Sequence, residues 1–296
     1  MPIHRERYRR RERGADLPPS TGPGRPERLE GRGGAWLVIA AHGLRSIVRK
    51  RAFLFLMILS WIPVVVRGVQ IWAAANVPGM SQIGMLAVNP QMFRDFLNQQ
   101  EPLVFFITVY VGSGLIADDI RANALQLYLS RPITRTQYIA GKAAILMAAL
   151  SAVTFVPAML LLLLVPAFAG RMTFLWDNLS LVASISAYSV IQITLSAFLI
   201  LALSSLSKSR WFVAILYAGL GFFTHAVFGV LGAAISGSAF SWVSIFANVR
   251  QVGDVLFRLP PRHDTNPLIS ATVIVLIIAA SAAVLRRRIR AIEVVT

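Results

Sequence analysis

Cysteine is absent from this 296-residue chain, so neither a disulfide framework nor a thiolate metal site can form. Acidic residues are scarce too: 13 Asp and Glu stand against 29 Lys and Arg, and charged residues of both signs make up only 14% of the chain. A water-soluble domain of this length needs more charge to cover its surface, which excludes an ordinary cytosolic globular protein. What is present instead is apolar: 56% of residues are hydrophobic and the mean hydropathy is +0.65. The net charge of +16 must therefore sit outside long apolar stretches.

Crossing the hydrocarbon core takes about 20 apolar residues in helical form. Six stretches qualify: Phe53 to Ile71, Pro102 to Ile116, Ala143 to Ala169, Leu179 to Leu206, Trp211 to Ile235 and Leu268 to Leu285. The second is short if it stops at the aspartate pair that follows, so it is expected to start or end in the interface. The fold class expected is an all-α integral membrane protein with six transmembrane helices. Residues 35–296 form that domain, and residues 1–34 form a basic tail.

The basic residues are distributed unequally. With the N-terminus placed inside, 14 Lys and Arg flank the inner ends of the spans, among them Lys50, Arg51, Arg121, Arg135, Lys142, Arg210 and Arg286, against six on the other side. The positive-inside rule then puts both termini in the cytoplasm. The tail carries nine further arginines among Pro and Gly with almost no apolar residues, a composition of disorder. A nucleic-acid arm is one reading of Arg9, Arg10, Arg11 and Arg13; attraction to anionic lipid, worth up to about 1 kcal/mol per basic residue near the surface, is the favoured one.

Three shorter segments read as amphipathic helices. From Trp36 to Arg51, Leu37, Ala40, Ala41, Leu44, Ile47 and Val48 recur at steps of three and four, with Arg45, Arg49 and Lys50 largely opposite, predicting a lead-in helix lying in the cytoplasmic interface. Asn89 is placed to cap a helix whose Met92, Phe93, Phe96 and Leu97 share a face. Ile245, Phe246, Val249, Val252 and Leu256 repeat against Ser244, Asn248, Gln251 and Arg258. These last two are read either as lying flat on the membrane or, for the second, as a re-entrant cap.

Catalytic constellations are missing. The string nearest to a phosphate-binding loop, Thr136 to Ala143, has Thr where the first glycine belongs and Ala where the hydroxyl belongs, so ATP hydrolysis is not expected of this chain. Asp118 and Asp119 are the one adjacent acid pair, and the residues after them supply no further acids for a metal site; none is expected. No acid falls inside the six stretches as bounded above, which argues against ion-coupled transport, where a membrane-embedded acid binds the coupling cation. Ser189, Gln192 and Ser196 share one face of the fourth span and His225 lies in the fifth. Helix packing explains these polar residues, and a translocation path lined by Ser189, Gln192, Ser196 and His225 is the functional alternative.

The most informative segment runs from Gly112 to Lys142. Asp118 or Asp119 is placed to start a short helix bearing Arg121, Leu125, Leu127, Tyr128 and Leu129; Pro132 breaks it, Thr134 caps the next helix, and Lys142 marks the third span. The string Leu129, Ser130, Arg131, Pro132, Thr134, Arg135, Tyr138, Gly141, Lys142 resembles the corresponding loop of type-2 ABC transporter permeases. The likeness extends from about Trp36 onward through the lead-in helix, the six spans and the amphipathic stretch before the sixth. Many members have Gly-Thr after the acids, where this chain has Asn123 and Ala124.

That resemblance implies a permease subunit of an ATP-driven transporter, an exporter, in a bacterial inner membrane. It implies a homo- or heterodimer of permease subunits and a separate ATP-binding subunit, which would carry the ATP and magnesium; this chain would hold no cofactor of its own. The coupling residues it implies are Asp118, Asp119, Arg121, Leu125, Leu127, Tyr128, Arg131 and Arg135, within the docking loop 117–142. The competing reading is a non-transport membrane scaffold or assembly factor, whose spans would serve packing alone.

Overall fold

The computed structural model describes residues 34–79, 88–124, 134–169, 178–235 and 237–294. The described residues are helical throughout, with no strand among them. The elements are α1 (Ala35–Val48), α2 (Arg51–Asn76), α3 (Pro90–Gln99), α4 (Glu101–Ile107), α5 (Gly114–Arg121), α6 (Arg135–Ser151), α7 (Phe155–Ala169), α8 (Leu179–Leu206), α9 (Arg210–Ile235), α10 (Ile245–Leu256) and α11 (Pro267–Val294). Six helical stretches are long and apolar enough to cross a membrane. The all-helical, six-span architecture expected from hydropathy is thus the observed one. The tail lies outside the described residues, apart from Gly34.

Helix α8 is the hub. In its most apolar window 67% of residues are buried, against 17% in α2, 17% in α9 and 22% in α11. Those three helices present rows of large apolar side chains outward: Phe55, Ile58 and Val65 on α2, Ile215, Phe222 and Phe223 on α9, and Val275 and Leu276 on α11. Such rows are intolerable in water and ordinary against lipid tails or another apolar helix.

The second span differs from its expected length. It runs from Pro90 to Arg121 as three helical pieces, α3, α4 and α5, with a widened π turn over Thr108–Gly112. Asn89 caps α3 as its residue type predicts, its Oδ1 accepting from Met92 N at 2.9 Å. The apolar face of α3 meets protein, since Met92, Phe93, Phe96 and Leu97 are all buried in the core around α7 and α8. Glu101, one residue before the expected start of the span, is inside this continuous stretch and 7% exposed. The expectation of acid-free spans is corrected accordingly.

The third span begins at Arg135 rather than Ala143 and is also broken, at residues 152–154 between α6 and α7. Pro157 has no N–H for the carbonyl of Val153, and one turn earlier Leu150 O accepts from Val153 N, Thr154 N and, at 2.9 Å, Thr154 Oγ1. Helix α10 departs from a flat amphipathic helix as well. Its polar face is buried: Asn248, Gln251 and Asp254 are all 0% exposed. Gln251 Nε2 donates to the carbonyls of His263 (3.0 Å) and Thr265 (2.9 Å), and its Oε1 accepts from His263 N (3.2 Å), tying α10 to the segment that leads into α11.

Candidate functional site

Alternation of the spans brings the start of α2, the end of α5, the starts of α6 and α9 and the ends of α8 and α11 to one end of the bundle. Here Lys50, Arg51, Arg121, Arg135, Lys142, Arg210 and Arg286 gather, and we call it the basic end. The Asp118–Asp119 pair sits there, in the last turn of α5. The acids therefore end a helix, whereas sequence spacing had them starting one. Asn123 follows with φ of 51°, the left-handed conformation that terminates helices and that asparagine tolerates better than other residues with a side chain. It occupies the region where many type-2 permeases carry glycine.

Asp119 faces inward. Its Oδ2 is 2.7 Å from Lys142 Nζ and accepts from Tyr138 Oη at 2.7 Å. Both partners come from α6, and the Lys142 and Asp119 side chains keep only 10% and 18% of their exposure, so this is a largely desolvated pair binding the second span to the third. Thr134 positions that helix through a reciprocal cap: Thr134 Oγ1 accepts from Gln137 N (3.3 Å) while Gln137 Oε1 accepts from Thr134 N (3.0 Å). Asp118 faces outward, 3.2 Å from Arg121 and 3.8 Å from Arg210 at the start of α9. The break at the π turn leaves α5 needing partners for its first amides. Ser204 of α8 supplies them, accepting from Ile116 N (3.1 Å) and Ala117 N (2.9 Å) and donating to Ser113 O (2.9 Å).

Helix α1 packs along α6 rather than resting all its apolar residues in lipid. Gly43 and Gly141 make this possible: a Cβ on Gly43 would lie 2.2 Å from Ile145 Cδ1, and one on Gly141 2.9 Å from Ile39 and 3.1 Å from the Trp36 carbonyl. Between α1, the end of the second span, α6 and α9 lies a cavity of about 710 Å³, whose lining includes Val38, Ile39, His42, Lys50, Asp118, Asp119, Lys142 and Arg210.

Of the residues singled out in the sequence, Asp118, Asp119, Arg121 and Arg135 are at this end, with Arg135 opening α6. Leu125, Leu127, Tyr128 and Arg131 lie outside the described residues. Tyr138, Lys142, Ser204 and Arg210 belong to this end as well; Tyr138 and Lys142 stand in the motif string, and no local signal marks Ser204 or Arg210. Among the described residues no group of three or more His, Asp or Glu is placed to hold a metal.

Ser189, Gln192 and Ser196 do share one buried face of α8. Gln192 and Ser196 border a cavity of about 40 Å³ together with Glu101 and Tyr217, while Ser189 Oγ and Gln192 Oε1 have no hydrogen-bond partner among the described residues. His225 does not line this cavity; its Nδ1 faces Ser244 Oγ at 3.1 Å.

The opposite end is closed by ion pairs that hydropathy does not reveal. Glu101 Oε2 accepts from Arg250 Nη2 at 2.6 Å and Nε at 2.9 Å, which raises the Arg250 guanidinium above its already high ordinary value. Asp254, fully buried, is held by Arg94 and by Arg262 Nε at 3.2 Å. Tyr188 Oη reaches Asn98 Oδ1 (3.1 Å) and Glu101 (3.4 Å), and Gly253 allows the approach, since a Cβ there would be 2.5 Å from the Tyr188 ring.

Among curated proteins none matches the chain. The family model described as ABC-2 family transporter protein matches residues 37–286, beginning in α1 and ending in α11. With most of the chain so matched, six membrane-spanning helical stretches in place and the described part of the motif string, Thr134 to Lys142, at the basic end, this protein belongs to the ABC-2 transporter family and is a multi-pass membrane permease.

Proposed function

We propose that the chain is the membrane-spanning subunit of an ATP-driven exporter in a bacterial inner membrane, working as a dimer of permease subunits with a separate ATP-binding subunit on its basic end. Both termini and the loop 117–142 then face the cytoplasm, in keeping with the positive-inside distribution. The observation that carries the reading is the bonding around Asp118 and Asp119. The loop is anchored at one side by α5 and at the other by α6, and its two anchors are tied to each other by Asp119, Lys142 and Tyr138, with Arg210 of α9 3.8 Å from Asp118. A displacement of the loop by a partner is therefore delivered to the second and third spans together. The polar face of Ser189, Gln192 and Ser196 beside the small cavity supports a translocation path that is closed in this conformation, and the ion pairs of the opposite end would have to separate for release.

The test is co-expression with an ATP-binding-cassette subunit from the same genome, a neighbouring gene being the first choice where one exists. Replacing Leu125, Leu127 and Tyr128 with Asp should abolish co-purification while gel filtration and thermal unfolding of the permease stay unchanged. Retained association would remove the loop from the docking surface. Absence of any ATP-binding partner for the wild type would favour the scaffold reading instead.

A further inference from the structure

The 710 Å³ cavity at the basic end has a use that neither docking nor translocation explains. Its volume is in the range that holds a drug-sized ligand, and its lining mixes aliphatic and charged groups. Val38, Ile39 and Ile47 of α1 and Ile145 of α6 supply the apolar part, with Val38 64% exposed toward the surroundings of the bundle. His42 lies one turn on from Val38 on the same helix, Lys50 follows the end of α1, and Arg210 comes from the start of α9.

The charges in the lining do not cancel. Asp119 is occupied by Lys142 and Tyr138, and Asp118 already has Arg121 at 3.2 Å. Arg210 comes no closer to Asp118 than 3.8 Å, beyond hydrogen-bond length, and is half exposed. The side chains of Lys50 and His42 have no hydrogen-bond or ion-pair partner among the described residues, and both residues are exposed. One full cation, a second held only loosely and an imidazole thus border the same slot as the aliphatic side chains of α1 and Ile145. An acceptor with several oxygens and an apolar tail satisfies both kinds of group at once.

We propose that this cavity binds an anionic membrane phospholipid, its phosphate taken by Lys50 and Arg210 and an acyl chain laid along Val38, Ile39 and Ile145. The lipid would bridge α1 to α9, two elements joined at this end mainly through the cavity's shared walls, and would compete with Asp118 for Arg210. The inference is independent of the ATP-driven reading, since it concerns the permease alone.

The experiment uses the purified full chain in neutral detergent. Phosphatidylglycerol or phosphatidylcholine with brominated acyl chains is titrated in, and quenching of tryptophan fluorescence is read. Phosphatidylglycerol should bind roughly tenfold more tightly than phosphatidylcholine, and Lys50→Glu should remove that preference. Ser46→Leu, which fills the cavity from α1, should weaken both lipids, and excess inorganic phosphate should fail to displace the bound lipid. Thermal unfolding of each variant checks that the fold is retained. Equal binding of the two lipids, or a preference unaffected by Lys50→Glu in a folded protein, overturns the proposal. Displacement by inorganic phosphate also overturns it, by showing that the site takes the free anion.

Discussion

Removing Lys142 tests whether the Asp119 pair is a structural bond between spans. At 2.7 Å and an effective dielectric constant of about 20, the gross attraction is roughly 6 kcal/mol, of which desolvation of both groups cancels a large part. Lys142→Met leaves Asp119 charged, 18% exposed and held by the Tyr138 hydroxyl. Stranding one partner of a buried pair costs about 3–5 kcal/mol, and the residual exposure places this pair near the lower value. Adding Asp119→Asn removes the stranded charge and keeps an acceptor for Tyr138, so the double variant should lie within about 1 kcal/mol of wild type. The difference between the double variant and the sum of the single ones should then be at least about 2 kcal/mol, roughly thirtyfold in the folded-to-unfolded ratio. Reversible unfolding in mixed micelles, followed by tryptophan fluorescence, measures all four corners of the cycle. Single variants that each cost under about 0.5 kcal/mol, or costs that simply add, would refute the reasoning.

Three further outcomes follow from contacts described above. Gly43→Val should lower the unfolding temperature by forcing a methyl-bearing carbon into Ile145, with a cost of about 1–3 kcal/mol, and Ile145→Ala in the same chain should restore part of it. Gly253→Ala should destabilise the opposite end by a similar amount, since its Cβ would meet the Tyr188 ring at 2.5 Å, and protease accessibility of residues 257–266 reports the loosening. His263 is held below its ordinary value of 6.5, chiefly by burial, so protons bind the unfolded chain more readily than the folded one. Its contribution is complete above pH 6.5 and declines as pH falls from there toward the folded value; His263→Gln should flatten that part of the stability profile.

The six spans were legible because each is a property of one contiguous stretch. So were the caps at Asn89 and Thr134, where a polar side chain serves amides two or three residues ahead. The pairings that define the two ends were not legible. Arg250 and Glu101 are 149 residues apart and Arg94 and Asp254 160 apart, so each appears in the sequence as a lone charge. For the same reason the sequence leaves Glu101 outside its span: hydropathy charges a carboxylate its full cost, and Arg250 of α10 and the Tyr188 hydroxyl, which offset that cost, are far away in the chain. The sequence leaves α10 open between a flat and a re-entrant helix, because nothing local shows that Gln251 replaces water with the carbonyls of His263 and Thr265. Gly43 leaves a gap in the apolar face of α1. It is the point at which that face meets another helix.

The break between α6 and α7 has a mechanical consequence. An unbroken helix of 34 residues behaves as a stiff rod, so a tilt applied at Tyr138 would swing its far end through a wide arc. With turns at residues 152–154 and no amide on Pro157 for the Val153 carbonyl, the same span is two shorter rods sharing a joint, and Pro157 keeps the joint from healing into continuous helix. Rotation imposed on the half that carries Lys142 can be absorbed there while α7 stays seated against α2 and α8. The third span is thereby suited to act as a clutch, passing small displacements across the membrane and letting large ones slip.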